Sequence, residues 1–179
     1  MMEFSKDAAN TTLVGKTVGL VNTLLGWFSC GAQIVAPPVM RIALALPFFR
    51  SGLTRWDSFL ALSPSANYLF AEEFKLHIFG GEYSIPSPDI VAYMTGLAEI
   101  TLPILLILGL ATRFSALGLL AMTGVIQLVV PDGWINFHLY WASLAVGIIA
   151  MGPGVLSVDR QIIARMFGGA TKLDSAKLK

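Results

Sequence analysis

The chain has 179 residues, of which 55% are apolar and only 13% charged, and its formal net charge is +1. A soluble domain carries about 25% charged residues, so this composition leaves the surface of a single soluble core uncovered. The near-zero net charge excludes a global basic field for nucleic acid, and the one cysteine, Cys30, excludes an internal disulfide or a self-contained dithiol redox cycle.

The charges lie in clusters between long apolar runs, which is the patterning of an integral membrane protein. The expected fold class is all-α: a membrane four-helix bundle with an N-terminal amphipathic helix lying in the interface. Residues 1–11 read as a disordered tail, and the first 17 residues lack the pattern of a cleavable leader. Over 12–33, Thr12, Lys16, Gly19, Thr23, Gly26, Cys30 and Gln33 recur at spacings of four and three. That spacing predicts a helix with one small or polar face, read as interfacial, with a fifth spanning helix as the alternative.

Pro37–Pro38 is then expected to open a new helix, because proline is tolerated in a first turn. The first span runs over 35–53 with a bend at Pro47. Residues 54–88 form the longest polar stretch, with a helix start at Ser63–Pro64–Ser65, a short helix over 67–79 and a stop at Gly80–Gly81. Spans two, three and four are expected over 89–110, 114–130 and 134–151. This gives three regions: tail and amphipathic helix (1–33), membrane domain (34–156) and cytoplasmic tail (157–179).

Nine of the twelve lysines and arginines fall on the side that four spans give to the termini. Both termini are therefore expected in the cytoplasm of a bacterial-type inner membrane. Only Arg50, Arg55 and Lys75 fall on the other side, with the 54–88 stretch. Trp56, Trp134 and Tyr140 fit an aromatic belt there.

Glu99 is the strongest chemical signal, because a carboxylate at mid-span is costly and should be neutral or paired. Its reading is a proton carrier or ligand contact, or else a buried partner of Arg41. Arg41 sits about one turn inside the first span, placed to snorkel to the interface or to reach Glu99. His138, on a face with Ala142 and Ala145, is a candidate for proton relay or ligand binding, against a satisfied buried histidine. Together Arg41, Glu99 and His138 form the candidate ligand or proton site. Gly52, Arg55 and Trp134 are secondary candidates, Arg55 for an anionic group. Glu73 and His77, four apart on the expected short helix, are weak metal candidates beside a more ordinary solvated face. No phosphate loop, nucleophile elbow, haem or zinc motif is present, and no catalytic set is assigned.

Three stretches resemble the DoxX family of small membrane proteins. They are Met40–Arg41 through Gly52 and Arg55; Glu99 followed by Gly109, Thr112 and Arg113; and Gly152–Pro153–Gly154 with Ser157 and Asp159. The chain departs from the family pattern at Arg55, often lysine, and at Ser51, often histidine. The resemblance implies a four-helix bundle linked to redox or sulfur metabolism, one branch being similar to a subunit of thiosulfate:quinone oxidoreductase. Three roles follow as expectations: a membrane anchor or accessory partner of a redox, sulfur or metal-stress system; a quinone-binding subunit, with quinone as the candidate cofactor; and a small oligomeric transporter. The expected partners are the lipid bilayer and a protein partner or a second copy.

Overall fold

The computed structural model describes residues 3–166. The chain divides into two compact units, Met1–Ala36 and Pro37–Lys179. The helix α1 (Glu3–Leu53) contains Pro37, Pro38 and Pro47. Two expectations are thereby corrected. Residues 3–11 are helical, residues 1 and 2 lying outside the described residues, and Pro37–Pro38 does not start a separate helix. Membrane helices tolerate internal proline where neighbouring helices, hydroxyl side chains or local adjustments satisfy the backbone groups that it frees.

In the first unit, the side chains of 18–35 are exposed on every face, Trp27 and Phe28 most of all. In the second unit, α1 continues from Pro37 to Leu53. It is followed by β1 (Trp56–Ser58), β2 (Ala61–Leu62), α2 (Pro64–Tyr68) running into one π-turn over Leu69–Glu73, β3 (Lys75–Ile78) and β4 (Gly81–Ser84). Then come α3 (Pro88–Leu108), α4 (Thr112–Val129), a 3-10 turn (Pro131–Gly133), a π-turn (Trp134–His138) and α5 (Leu139–Met151). A last helix, α6, occupies 158–166, and the rest of the expected tail lies outside the described residues.

Among the described residues, four helices are long and apolar enough to cross a membrane: Val18–Leu53, Pro88–Leu108, Thr112–Val129 and Pro131–Met151. At about 1.5 Å per residue, α3 alone matches a hydrocarbon core about 30 Å thick. Within the second unit these helices pool one core: Leu44, Ala45 and Phe48 from α1, Leu106 from α3, Ala116 and Leu119 from α4, and Ala145 and Ile148 from α5. Small residues set the close approaches. A Cβ on Gly118 would lie 2.8 Å from Leu102, and one on Gly52 would lie 2.9 Å from the backbone of Glu99. Apolar helices associate through such contacts, because lipid offers no hydrophobic drive between them. Outward, Met94, Leu117, Val125 and Val146 remain more than half exposed, a surface suited to hydrocarbon.

The expected all-α fold is amended by two antiparallel hairpins in the 54–88 stretch. Ser63 caps α2 as its Ser–Pro–Ser sequence predicts, its Oγ accepting from Ala66 N at 3.2 Å. The helix expected over 67–79 stops at Glu73, and β3 pairs with β4, Lys75 opposite Ser84 and His77 opposite Glu82. Gly80, read as a helix stop, is instead one of the two left-handed turn residues of that hairpin, at φ 81° beside Phe79 at φ 51°. The hairpins and the α4–α5 connection occupy one end of the bundle, called here the cap end. The α3–α4 connection and the chain after Met151 meet at the other, the junction end.

Candidate functional site

Glu99 lies on the twelfth residue of α3 and is 1% exposed. Its partner is Arg55, which corrects the expectation of Arg41. The chain leaves α1 through a tight turn, Arg55 N donating to Gly52 O at 3.2 Å, and this folds the arginine back along the helix. Arg55 Nε donates to Glu99 Oε2 and Nη2 donates to Oε1 at 2.9 Å, a bidentate pair. Ser51 Oγ donates to Oε1 at 3.3 Å. The Phe70 ring stacks over the guanidinium, 4.9 Å from its carbon to the ring centroid.

Gly52 allows this approach, since α3 passes where its Cβ would be. Gly96 does the same one turn before Glu99, where Trp56 packs over its Cα. Trp56 is fixed in turn edge-on to Tyr93, with centroids 5.4 Å apart. The result is an ion pair buried at Glu99 and part-buried at Arg55, with Phe70 over the guanidinium and Trp56 packed beside it on Gly96.

Arg41 belongs to the junction end. It is 2% exposed, and its Nη2 donates to Leu156 O. Its Nε and Nη1 find no hydrogen-bond partner among the described residues. Gly109, at φ 69°, packs its bare Cα against this guanidinium and against Ser157. Asp159 closes the junction by capping α4. Its carboxylate accepts from Ala111 N at 2.7 Å, Thr112 N at 2.8 Å and Thr112 Oγ1 at 2.8 Å. Burial pushes the Asp159 carboxyl up, but the bonds from Thr112 and Ala111 and the charge of Arg41 outweigh it. The group is held below its ordinary value. Ser157 Oγ donates to Gly154 O at 2.9 Å and so fixes the turn that delivers Asp159.

His138 ends the π-turn at the cap end and is 3% exposed. Its Nδ1 is 2.6 Å from Gln127 Oε1, and Gln127 Nε2 donates to Pro131 O at 2.9 Å. Trp134 begins the same turn and is partly exposed. The structure therefore does not bring Arg41, Glu99 and His138 into one site: no described hydrogen-bond partner is common to any two of them. Glu73 and His77 do not share a helix face either. Glu73 closes the π-turn, whereas His77 sits on β3 with Nδ1 3.1 Å from Leu128 O and Nε2 3.7 Å from Glu82.

The family model DoxX matches residues 36–132, more than half of the chain. The chain belongs to the DoxX family. No curated protein and no solved structure matches it. The DoxX match takes in Arg41, the Ser51–Arg55–Glu99 cluster, Gly109, Thr112 and Gln127, while His138 and Asp159 lie beyond it. Sequence reasoning missed Ser51, Phe70 and Gln127 as site members. Gln127, a lone amide in an apolar run, carried a signal. Phe70 did not, because its role depends on the 54–88 stretch folding back over Arg55.

Proposed function

We propose that this DoxX-family protein is a membrane anchor or accessory partner of a redox, sulfur or metal-stress system rather than the catalyst. The observation that carries the reading is the closure of the Glu99 site. Both carboxylate oxygens are taken by Arg55 and Ser51, so the costliest charge in the apolar region is spent on holding α1 to α3. His138 is likewise engaged by Gln127. Recognition then falls to the cap. Between 54 and 89 it exposes five carboxylates, Asp57, Glu72, Glu73, Glu82 and Asp89, against Lys75. Such a surface favours a soluble partner with a basic docking face, steered by charge. In this reading the protein crosses a bacterial-type inner membrane with both termini cytoplasmic, and residues 12–33 lie in the interface.

Purification in mild detergent, followed by mass spectrometry of proteins and lipids, tests it. A stoichiometric protein that is lost on Glu72→Lys/Glu73→Lys/Glu82→Lys supports the anchor. A partner retained unchanged by those reversals removes the argument from the cap.

One observation favours a second reading. An open groove of about 410 Å³ lies against α3, lined by Leu62, Asn67, Asp89, Ile90, Tyr93 and Met94. Its size falls within the range of small-molecule sites. There the chain would be a quinone-binding subunit of an oxidoreductase. A stoichiometric quinone in the same experiment, lost on Tyr93→Ala, would favour it over the anchor.

A further inference from the structure

Both hairpins of the cap end in an exposed aromatic residue. Phe59 is 93% exposed at the β1–β2 turn, and Phe79 is fully exposed at the β3–β4 turn. Each turn places a large apolar residue where its backbone prefers another type. Leu60 has φ 57° and Phe79 φ 51°, left-handed positions that glycine, asparagine or aspartate fill with least strain. Phe59 and Phe79 are exposed almost completely and so add nothing to the core, while Leu60 is half-buried.

The depth of the tips is fixed by contacts behind them. His77, two residues before Phe79, meets the carbonyl of Leu128 in the last turn of α4. Two residues of strand extend about 7 Å, so the Phe79 backbone lies no more than about that distance from His77, which is itself anchored to the end of α4. Trp56, three residues before Phe59, packs on Gly96 and Tyr93. Gly96 is about 12 Å along α3 from its start at Pro88. Both hairpins are thus anchored to the spanning helices within two or three residues of their tips. Ile135 and Phe137, 70% and 56% exposed, add apolar surface at the same end.

We propose that Phe59–Leu60 and Phe79 insert into the headgroup layer of the bilayer and pin the cap to the membrane surface. Exposed Phe and Leu side chains gain by burial at the boundary of headgroups and acyl chains. The cap exposes five carboxylates and no basic cluster, so contact with the bilayer there rests on the apolar tips and not on charge. The inference rests on the spanning reading of the helices and not on any partner. Pinned in this way, the acidic face that the proposed function uses is held at a fixed height above the membrane.

The test is spin-label accessibility in phosphatidylcholine vesicles, on a Cys30→Ser background. Nitroxides are placed at Phe59→Cys, Phe79→Cys, Glu72→Cys and Met94→Cys. The expected result is that positions 59 and 79 relax more with oxygen than with a water-soluble nickel chelate, as does Met94 on the outer face of α3, whereas Glu72 shows the reverse. Nickel-dominated relaxation at both tips, with Met94 oxygen-dominated, overturns the pinning alone. Nickel-dominated relaxation at Met94 as well overturns the spanning reading with it. Tips shielded from both reagents only when a copurified protein is present would make them a protein contact and also overturn the proposal.

Discussion

Removing Arg55 should cost more than neutralising Glu99, and the reason is their unequal burial. The two side chains share a bidentate pair, but Glu99 is 1% exposed and Arg55 12%. Arg55→Ala strands a carboxylate with Ser51 Oγ as its only described donor. Breaking a buried pair from one side costs about 3–5 kcal/mol. Glu99→Gln keeps the shape and one acceptor for the guanidinium, and Arg55 retains Phe70 and some solvent. That loss should be nearer one charge-assisted hydrogen bond, about 1.5–3 kcal/mol. The double variant Arg55→Met/Glu99→Leu leaves no charge unpaired and should fall within about 1 kcal/mol of the parent. Reversible unfolding in mixed detergent–SDS micelles, followed by circular dichroism, measures all three. Equal losses in the two single variants, or a double variant worse than both, would refute the claim that the pair is a closed structural unit.

Glycine positions give predictions of opposite sign. Gly52→Ala places a methyl 2.9 Å from the backbone of Glu99, which cannot yield, so overpacking of about 1–3 kcal/mol should outweigh the gain in helix propensity. Gly124→Ala, with nothing within 4 Å, should stabilise α4 by about 0.5–1 kcal/mol in the same unfolding assay. Gly109→Ala combines a φ of 69° with a Cβ 2.7 Å from that of Ser157, and should lose at least about 2 kcal/mol. Asp159→Asn should lose about 1.5–3 kcal/mol at neutral pH, one charge-assisted bond to the start of α4. Because the folded carboxyl titrates below its ordinary 3.8, its contribution is complete above that value and fades as pH falls through the folded value. Parent and variant should therefore start to converge only below about pH 4 and meet once pH is below the folded value; a gap that persists at that acid limit would mean that Asp159 acts through shape rather than charge.

What the sequence revealed followed the range of the forces involved. Spans two to four were legible because hydrophobic runs need no partner to declare themselves, and the observed helices end within about two residues of expectation at most boundaries, as assignment allows. Glu99 stood out for the same reason, a lone carboxylate in an apolar run. Its partner did not. Arg41 looked suitable because it lies inside a span, whereas Arg55 lies beyond the end of α1 and reaches Glu99 only through the turn at Gly52. Residues 67–79 failed differently. The local pattern fits a helix up to Glu73, but β3 exists only by pairing with β4, a contact that no local periodicity encodes. Likewise, the small-residue face of α5 placed His138 inward, yet its partner Gln127 comes from another helix.

The two ends of the bundle are built on different principles, and that difference bears on function. At the junction end, Arg41, Gly109, Ser157 and Asp159 interlock through backbone carbonyls and amides, so substitution there disturbs several elements at once. At the cap end, the Arg55–Glu99 pair, Phe70, Trp56 and the bond from His77 to Leu128 hold the base, and above it lie short hairpins with exposed tips. A surface free of packing duties is free to carry recognition, whereas a packed junction is not. If the protein works through a partner, specificity should therefore follow the cap: exchanging 57–84 between family members, with Gly52, Arg55 and Glu99 kept, should transfer partner choice without loss of the helical core.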